Sequence, residues 1–436
     1  MNLIHKSITL LFIVSLLQLN ANETISSNKV LSLDDLVQMA FKNNHKIDSS
    51  KFKQESKKAN IDLSKAGYLP TVSLTGELAA YDIKTTTSNT NDTVNSLSLN
   101  ASQLLYDFGK TKASVDSTIE TYSASLSETD ALKNSILLSV KQSYYNILNQ
   151  HQLISVAKES IKIDSLQLEQ AQEYLNAGVR TKIDVTNAQL QLSTSKLDLV
   201  KAKYKLKSAK TQLITILGVN INDSLSVKKE SDDIVDLVKY IKYTPIELNT
   251  LIDSAVESRA ETAMYKAMIK SQKSKIKNVK KEYLPDLDFD ATYADKNSNN
   301  SSLESEQWTA GVYLKWTLFS GHSTNANIKN NIAVLQDVQS QLKQQELTIM
   351  QEVTDAYFSL KENEESIKIS SLNLELSIAN LDLAKQRYKA GLNDLVEFND
   401  AKLEYTKAKS NLVNTYYNYL ISHANLEYAS GVKNNL

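Results

Sequence analysis

Two periodicities divide the chain. Large apolar residues recur every seventh position at Val140, Ile147, Ile154, Ile161, Leu168 and Leu175, and again at Val353, Leu360, Ile367, Leu374, Leu381 and Tyr388. Two further seams run through Val185, Leu192, Leu199, Leu206 and Leu213, and through Phe398, Tyr405, Leu412, Tyr419 and Leu426. Small residues stand three positions after them: Ala188, Ser195, Ala202 and Ala209 in the first, Ala401, Ala408, Thr415, Ser422 and Ala429 in the second. Alternating bulky and small layers at this spacing predict long helices that approach closely. No Gly or Pro interrupts the stretches between Gly109 and Gly178 or between Gly321 and Gly391. Each predicts a helix of roughly 70 residues, about 100 Å long. The Ala-Gly pairs at 177–178 and 390–391 predict glycine caps that turn the chain back.

Elsewhere the period is two. Trp308, Ala310, Val312, Leu314, Trp316 and Leu318 alternate with more polar neighbours, as do Leu287, Phe289, Ala291 and Tyr293 with Asp286, Asp288, Asp290 and Thr292. In the first half, Val72, Leu74 and Leu78 alternate with Thr71, Ser73, Thr75 and Glu77; Leu97, Leu99, Ala101 and Leu105 alternate with Ser96, Ser98, Asn100 and Tyr106. The pattern predicts strands with one apolar and one polar face. An ordinary half-buried sheet is one source of such alternation. The two tryptophans, eight residues apart, would stand about 26 Å apart along a strand. That separation fits the ~25 Å apolar band and aromatic girdles of outer-membrane barrels. Asn-, Ser- and Thr-rich segments at 82–95 and 294–306 would then face the outside. Four strands cannot close a barrel, and an open edge cannot sit in lipid, so several chains must contribute.

The landmarks come in pairs. Gly321 follows Gly109 by 212 positions; Gly391 follows Gly178, and Gly431 follows Gly218, by 213. Tyr68-Leu69-Pro70 recurs as Tyr283-Leu284-Pro285. The chain reads as duplicated halves, each two β-strands plus a long antiparallel α-helical hairpin. The expected divisions are a signal peptide at 1–21, a first repeat at 22–218, a linker at 219–245, a second repeat at 246–431 and a tail at 432–436. Helices are expected at about 32–66, 109–177, 181–217, 247–283, 322–390 and 394–430, and strands at about 70–82, 95–106, 285–295 and 306–319.

Composition narrows the function. Only 9 Gly and 3 Pro among 436 residues agree with few turns and long elements, and the absence of Cys removes disulfides, thiol nucleophiles and cysteine–zinc sites. A formal net charge of -1 gives no reason to expect nucleic acid. Lys6 before an apolar run of about ten residues, with Leu19-Asn20-Ala21 after it, predicts a secretory signal and export. No later run approaches the ~20 apolar residues of a spanning helix.

Several short motifs now combine: Tyr-Leu-Pro opening each strand pair, Leu105-Tyr106-Asp107-Phe108-Gly109 and Leu318-Phe319-Ser320-Gly321 at strand ends, and Arg387-Tyr388-Lys389-Ala390-Gly391 followed by Asp394 and Glu397. With the duplication, they make the chain resemble the outer-membrane efflux protein family, the TolC-type channel-tunnels. The resemblance implies a mainly α protein with transmembrane β: a homotrimer whose 12-stranded β-barrel, seated in outer-membrane lipid, continues as a 12-helix α-barrel in the periplasm. A mixed equatorial belt would include 33–44 and 219–251. It also implies partners, a periplasmic adaptor (membrane fusion) protein and an inner-membrane pump, serving efflux or type I secretion. The competing readings are a periplasmic coiled-coil adaptor and a structural protein of the envelope. An adaptor would show one hairpin flanked by Gly-rich β modules.

A conduit needs no catalytic constellation, and none emerges; no cofactor or metal is expected. His5, His45, His151, His322 and His423 follow no ligand spacing. Asp286, Asp288 and Asp290 would line the lumen, and Tyr405, Tyr416, Tyr417 and Tyr419 read as helix packing. At the two turns, Thr181/Asp184 and Asp394/Glu397 have the spacing of capping boxes. Asp400 lies past that first turn and needs another explanation. The resemblance places Glu397 and Asp400 at an acidic constriction, and Asp184 and Tyr388 among residues tying neighbouring hairpins shut. Asn393 stands where the family's best-studied pattern has an Arg that pairs with the counterpart of Asp184. Adaptor docking is expected around Gly178, Arg180 and Gly391, and a membrane girdle at Trp308 and Trp316.

Overall fold

A computed structural model describes residues 30–84, 89–220, 226–228, 234–239, 241, 247–298, 304–392 and 395–431. The expected signal peptide, the tail, Asn393 and Asp394 lie outside these residues, as do parts of the linker and of the two outer loops. In chain order the elements are β1 (Val30–Leu31), α1 (Leu33–Asn43), α2 (His45–Lys65), β2 (Thr71–Lys84), β3 (Asn89–Tyr106), α3 (Lys110–Asn176), α4 (Lys182–Leu217), β4 (Ser226–Val227), α5 (Ile234–Lys239), α6 (Leu248–Ser258), α7 (Ala260–Lys280), β5 (Asp286–Ser298), β6 (Ser305–Lys315), α8 (Ser323–Lys389) and α9 (Leu395–Ala429).

The helix expected at 32–66 is two helices. Asn44 adopts extended backbone; its side chain caps α2 by accepting from Lys46 N–H at 2.9 Å and donates to the Ile216 carbonyl at 2.6 Å. The helix expected at 247–283 likewise breaks at Arg259, also extended and buried. Both breaks receive a glycine from the end of a returning helix. A Cβ on Gly218 would stand 2.4 Å from the Asn43 carbonyl oxygen, and one on Gly431 would stand 2.7 Å from Ser258 Oγ. Local periodicity carries no trace of these joints, because a distant helix end determines them. The main apolar core lies at the first joint. Leu36, Val37, Ala40 and Ile47 pack there with Val140, Ile147, Leu213, Leu217 and Val227, beside the parallel pair β1–β4.

The four long strands form one antiparallel sheet in the order β2-β3-β5-β6. Its register aligns Leu74, Leu99, Tyr293 and Trp308 in one row and Val72, Ala101, Ala291 and Ala310 in another. The opposite face carries Ser73, Asn100, Thr292 and Thr309, with Thr292 donating to Asn100 Oδ1 at 2.9 Å. The large apolar residues of the first face, including Leu74, Leu99 and Trp308, are exposed. Three expectations need correction. The strands run on into the segments expected as outer loops, β2 to Lys84, β3 from Asn89 and β5 to Ser298, because the ladder pairing continues there. The register shifts between Leu104 and Tyr106, so Leu105 is passed over and Tyr106 joins the apolar row opposite Leu287 rather than the polar set. Strand β6 ends at Lys315, not near 319, because its last partner is Asp286. Pro285, before it, has no N–H to extend the ladder. Trp316 thus lies just past the strand and donates its indole N–H to the Tyr283 carbonyl at 3.0 Å.

The 67-residue helices α3 and α8 are each antiparallel to a returning helix, α4 and α9. Their packing is unequal. Helix α9 lies against both α8 and α3, whereas α4 packs chiefly on α3. Equivalent residues therefore differ: Val413 and Tyr417 are 0% and 4% exposed, but Val200 and Tyr204 are 48% and 66%. Val156 on α3 is 5% exposed and its counterpart Ile369 on α8 is 61%. No helix among the described residues is long and apolar enough to cross a membrane.

Candidate gate at the hairpin tips

The two tips are built alike. Helix α3 ends in a left-handed Gly178 (φ 71°), and Val179 N–H returns to the Tyr174 carbonyl at 2.9 Å. Helix α8 ends in Gly391 (φ 72°), with Leu392 N–H on the Arg387 carbonyl at 2.9 Å. This doubled-back cap satisfies carbonyls that a helix end leaves open. A Cβ at either glycine would meet nothing within 4 Å, so the positive φ alone selects glycine. Val179, Ile183, Leu392 and Val396 leave the tips apolar and exposed.

Helix α4 starts with Thr181, whose backbone N–H and hydroxyl both donate to Asp184 Oδ2, at 3.0 and 2.9 Å. The Asp184 carboxylate thus serves its own helix start within this chain. Tyr388 is wholly buried where the two hairpins meet. Its ring lies 6.1 Å from Tyr174 and 6.0 Å from Phe398, centroid to centroid, and the Arg180 guanidinium sits 5.2 Å above it. Ala171, Ala188 and Leu395 complete the cluster. Burial pushes the Tyr388 phenol up; Arg180 acts against this and Asp184 with it. Its hydroxyl approaches Gln167 without a well-aligned hydrogen bond.

Glu397 and Asp400 are exposed on α9, while Phe398 and Ala401 between and beside them are buried in the seam. Both carboxylates line a shallow groove of about 420 Å³ with Asn380, Ala384 and Glu404. Arg387 Nη1 approaches Glu397 at 3.6 Å with both side chains half exposed, a geometry of small energetic weight. Glu404 was not anticipated; its place seven residues after Glu397 puts it on the same stripe, and that spacing could have revealed it. Nor was the network just above this groove. Lys402 Nζ reaches Asp164 Oδ2 at 2.9 Å and Ser195 Oγ at 3.2 Å, all nearly fully buried. A lysine between the seam residues Ala401 and Tyr405 was the available signal. Among the described residues, no cluster of three or more His, Cys, Asp or Glu could hold a metal ion. At the other end, Trp308 is exposed on the apolar sheet face and Trp316 at the sheet–helix junction.

Three acidic side chains, Glu397, Asp400 and Glu404, thus face one groove above a pair of capped turns on hairpins of about 100 Å. Comparison with known proteins bears on the family and the fold. The chain is 22% identical over 426 residues to outer membrane protein TolC of Escherichia coli K12, covering 94% of this chain and 84% of that protein. It is 22% identical over 408 residues to toxin and drug export protein A of Aggregatibacter actinomycetemcomitans, covering 92% and 86%. Among solved structures, CusC superposes with a TM-score of 0.79 at 18% identity, covering 92% of each chain. The Campylobacter jejuni CmeC outer membrane channel gives 0.79 at 17%, covering 92% of this chain and 85% of that one. The model of one family, outer membrane efflux protein, matches twice, at residues 36–219 and 251–432. These two matches coincide with the duplicated halves, and the chain belongs to the outer membrane efflux protein family.

Proposed function

We propose that this outer-membrane efflux channel works as one third of a homotrimer. The strands of three chains would close a 12-stranded barrel in the membrane, and the hairpins would form a periplasmic tunnel. The observation that carries this reading is the unequal burial of equivalent residues. Val413, Tyr417 and Val156 are covered at the seam between the two halves of one chain, whereas Val200, Tyr204 and Ile369 are bare on its outer flanks. A second copy placed by the same internal relation covers the bare set and pairs the open edges β2 and β6, which lipid does not tolerate unpaired.

In this reading the exposed apolar tips around Gly178, Arg180 and Gly391 receive a periplasmic adaptor joined to an inner-membrane pump. Glu397 and Asp400, repeated three times, form the acidic gate; Tyr388, clamped by Arg180, holds the hairpins of each chain together, and Asp184 and Asn393 are proposed to help keep it closed. Trp308 and Trp316 mark the membrane band. The purified protein, added to planar lipid bilayers, should give discrete cation-selective conductance steps. A protein that inserts into vesicles yet never conducts would contradict a conduit and favour a structural role in the envelope.

A further inference from the structure

Helix α7 carries Lys266, Lys270, Lys273, Lys277 and Lys280 at alternating spacings of four and three, and residues 262–281 contain no Asp or Glu. All five lysines are exposed. Their side of the helix follows from its neighbours. Ser271 bonds Ser117 of α3 at 2.9 Å, and Gln272 bonds Asn331 of α8 at 2.9 Å. These consecutive residues are about 100° apart around the helix. Both neighbours therefore lie within one narrow sector, and these five lysines occupy the broad sector opposite, with Lys275 alone on the narrow side. In a curved single layer of helices the broad sector is the convex, outer one.

The stripe ends at the membrane. Lys277 and Lys280 stand on the last turn of α7, nine and six residues before β5 begins at Asp286. Lys281 Nζ and Lys112 Cβ both lie against Gly109, and Lys281 donates to the Phe108 carbonyl at 2.5 Å. Directly beyond stand exposed Tyr106, Phe108, Tyr283 and Trp316. Asp116 and Glu120 line one groove with Lys270, Lys273 and Lys277 and offset part of their charge. Lys112, Lys280 and Lys281 lie outside that groove, at the end of the helix beside the aromatic residues.

We infer that Lys112, Lys277, Lys280 and Lys281 form a basic collar that holds anionic phospholipid headgroups of the inner leaflet. The inference rests on the outer-membrane barrel proposed above. Two features argue for lipid as the occupant: the charge complementarity, and the continuity of the collar with the apolar face that enters the bilayer. Each lysine near an anionic surface is worth on the order of fivefold in lipid affinity.

The full-length protein and its K112Q/K277Q/K280Q/K281Q variant can be reconstituted into phosphatidylethanolamine vesicles holding a trace of spin-labelled lipid. The wild type should prefer labelled phosphatidylglycerol over labelled phosphatidylethanolamine several-fold. The preference should fall close to unity in the variant and in molar salt. Equal preference in the two inserted proteins would overturn the collar while leaving the barrel standing. So would a wild type without lipid preference that co-sediments with purified cell-wall sacculi when the variant does not, which would assign the stripe to the wall. Failure of both proteins to insert into any vesicle would overturn the barrel itself.

Discussion

Lys402 of α9 reaches across the seam between the hairpins to Asp164 of α3, Nζ to Oδ2 at 2.9 Å, with both side chains almost wholly buried. Ser195 of α4 donates to the same carboxylate oxygen at 2.5 Å, so three helices share one charge pair. Desolvation makes such a pair a poor source of net stability but a sensitive determinant of register. Lys402→Met alone should therefore destabilise the helical region by about 3–5 kcal/mol, because it leaves Asp164 uncompensated. The double variant Lys402→Met/Asp164→Leu should recover most of that loss. Denaturant unfolding followed by circular dichroism measures both; a double variant as unstable as the single one would show that the pair is not coupled.

Acid should loosen the contact between α9 and α3 through Glu427. Burial pushes its carboxyl up, but hydrogen bonds from His423 and Lys141 outweigh this and hold it at about 2. A depressed carboxyl contributes stability that is complete above its ordinary value of 4.5 and is lost as pH falls toward 2. Glu261 and Glu159, also lowered, act in the same direction. The urea midpoint of the wild type should drop more steeply below about pH 4.5 than that of Glu427→Gln. Parallel curves would remove Glu427 from the explanation.

The tip glycines separate folding from docking. Gly391→Val meets open space, so its cost is confined to the strain of a β-branched residue at φ 72°, about 1–3 kcal/mol. Assembly, judged by gel migration of unheated protein, should persist while export by cells is lost. Loss of assembly would mean the turn serves folding alone.

The gate makes an electrical prediction. Replacing Glu397 by Gln and Asp400 by Asn together should reduce cation preference in planar bilayers and weaken block by multivalent cations, since both carboxylates face one groove. Glu404→Gln, one turn further on, should add a smaller effect in the same direction. Unchanged selectivity and block in the double variant would reduce Glu397 to the partner of Arg387.

Much of this fold was legible because its repeats are regular. The seven-residue seams of α3 and α8 and the paired glycines at 178/391 and 218/431 can be read directly, and they place the hairpins and their tips. The alternation around Trp308 places the sheet. What stayed hidden depends on contacts between distant segments. The breaks at Asn44 and Arg259 exist because Gly218 and Gly431 pack against them from the ends of other helices. The early end of β6 follows from where its partner strand begins, and Tyr106 changes face because one residue is skipped beside it. The partner of Lys402 is not legible in the sequence, since only the fold brings Asp164 to it.

The most direct test of threefold closure uses the internal repeat and the natural absence of cysteine. Asn149 of α3 and Asn414 of α9 are joined at 3.1 Å within one chain. Their equivalents, shifted by the repeat of 213, are Glu362 of α8 and Lys201 of α4, both exposed and of opposite charge. If a neighbouring chain repeats the seam, these two residues face each other across the chain boundary. Lys201→Cys and Glu362→Cys in one chain should oxidise to a covalent trimer in outer membranes, with neither single variant forming it. A double variant that reaches the outer membrane and stays entirely monomeric under oxidation would contradict the account.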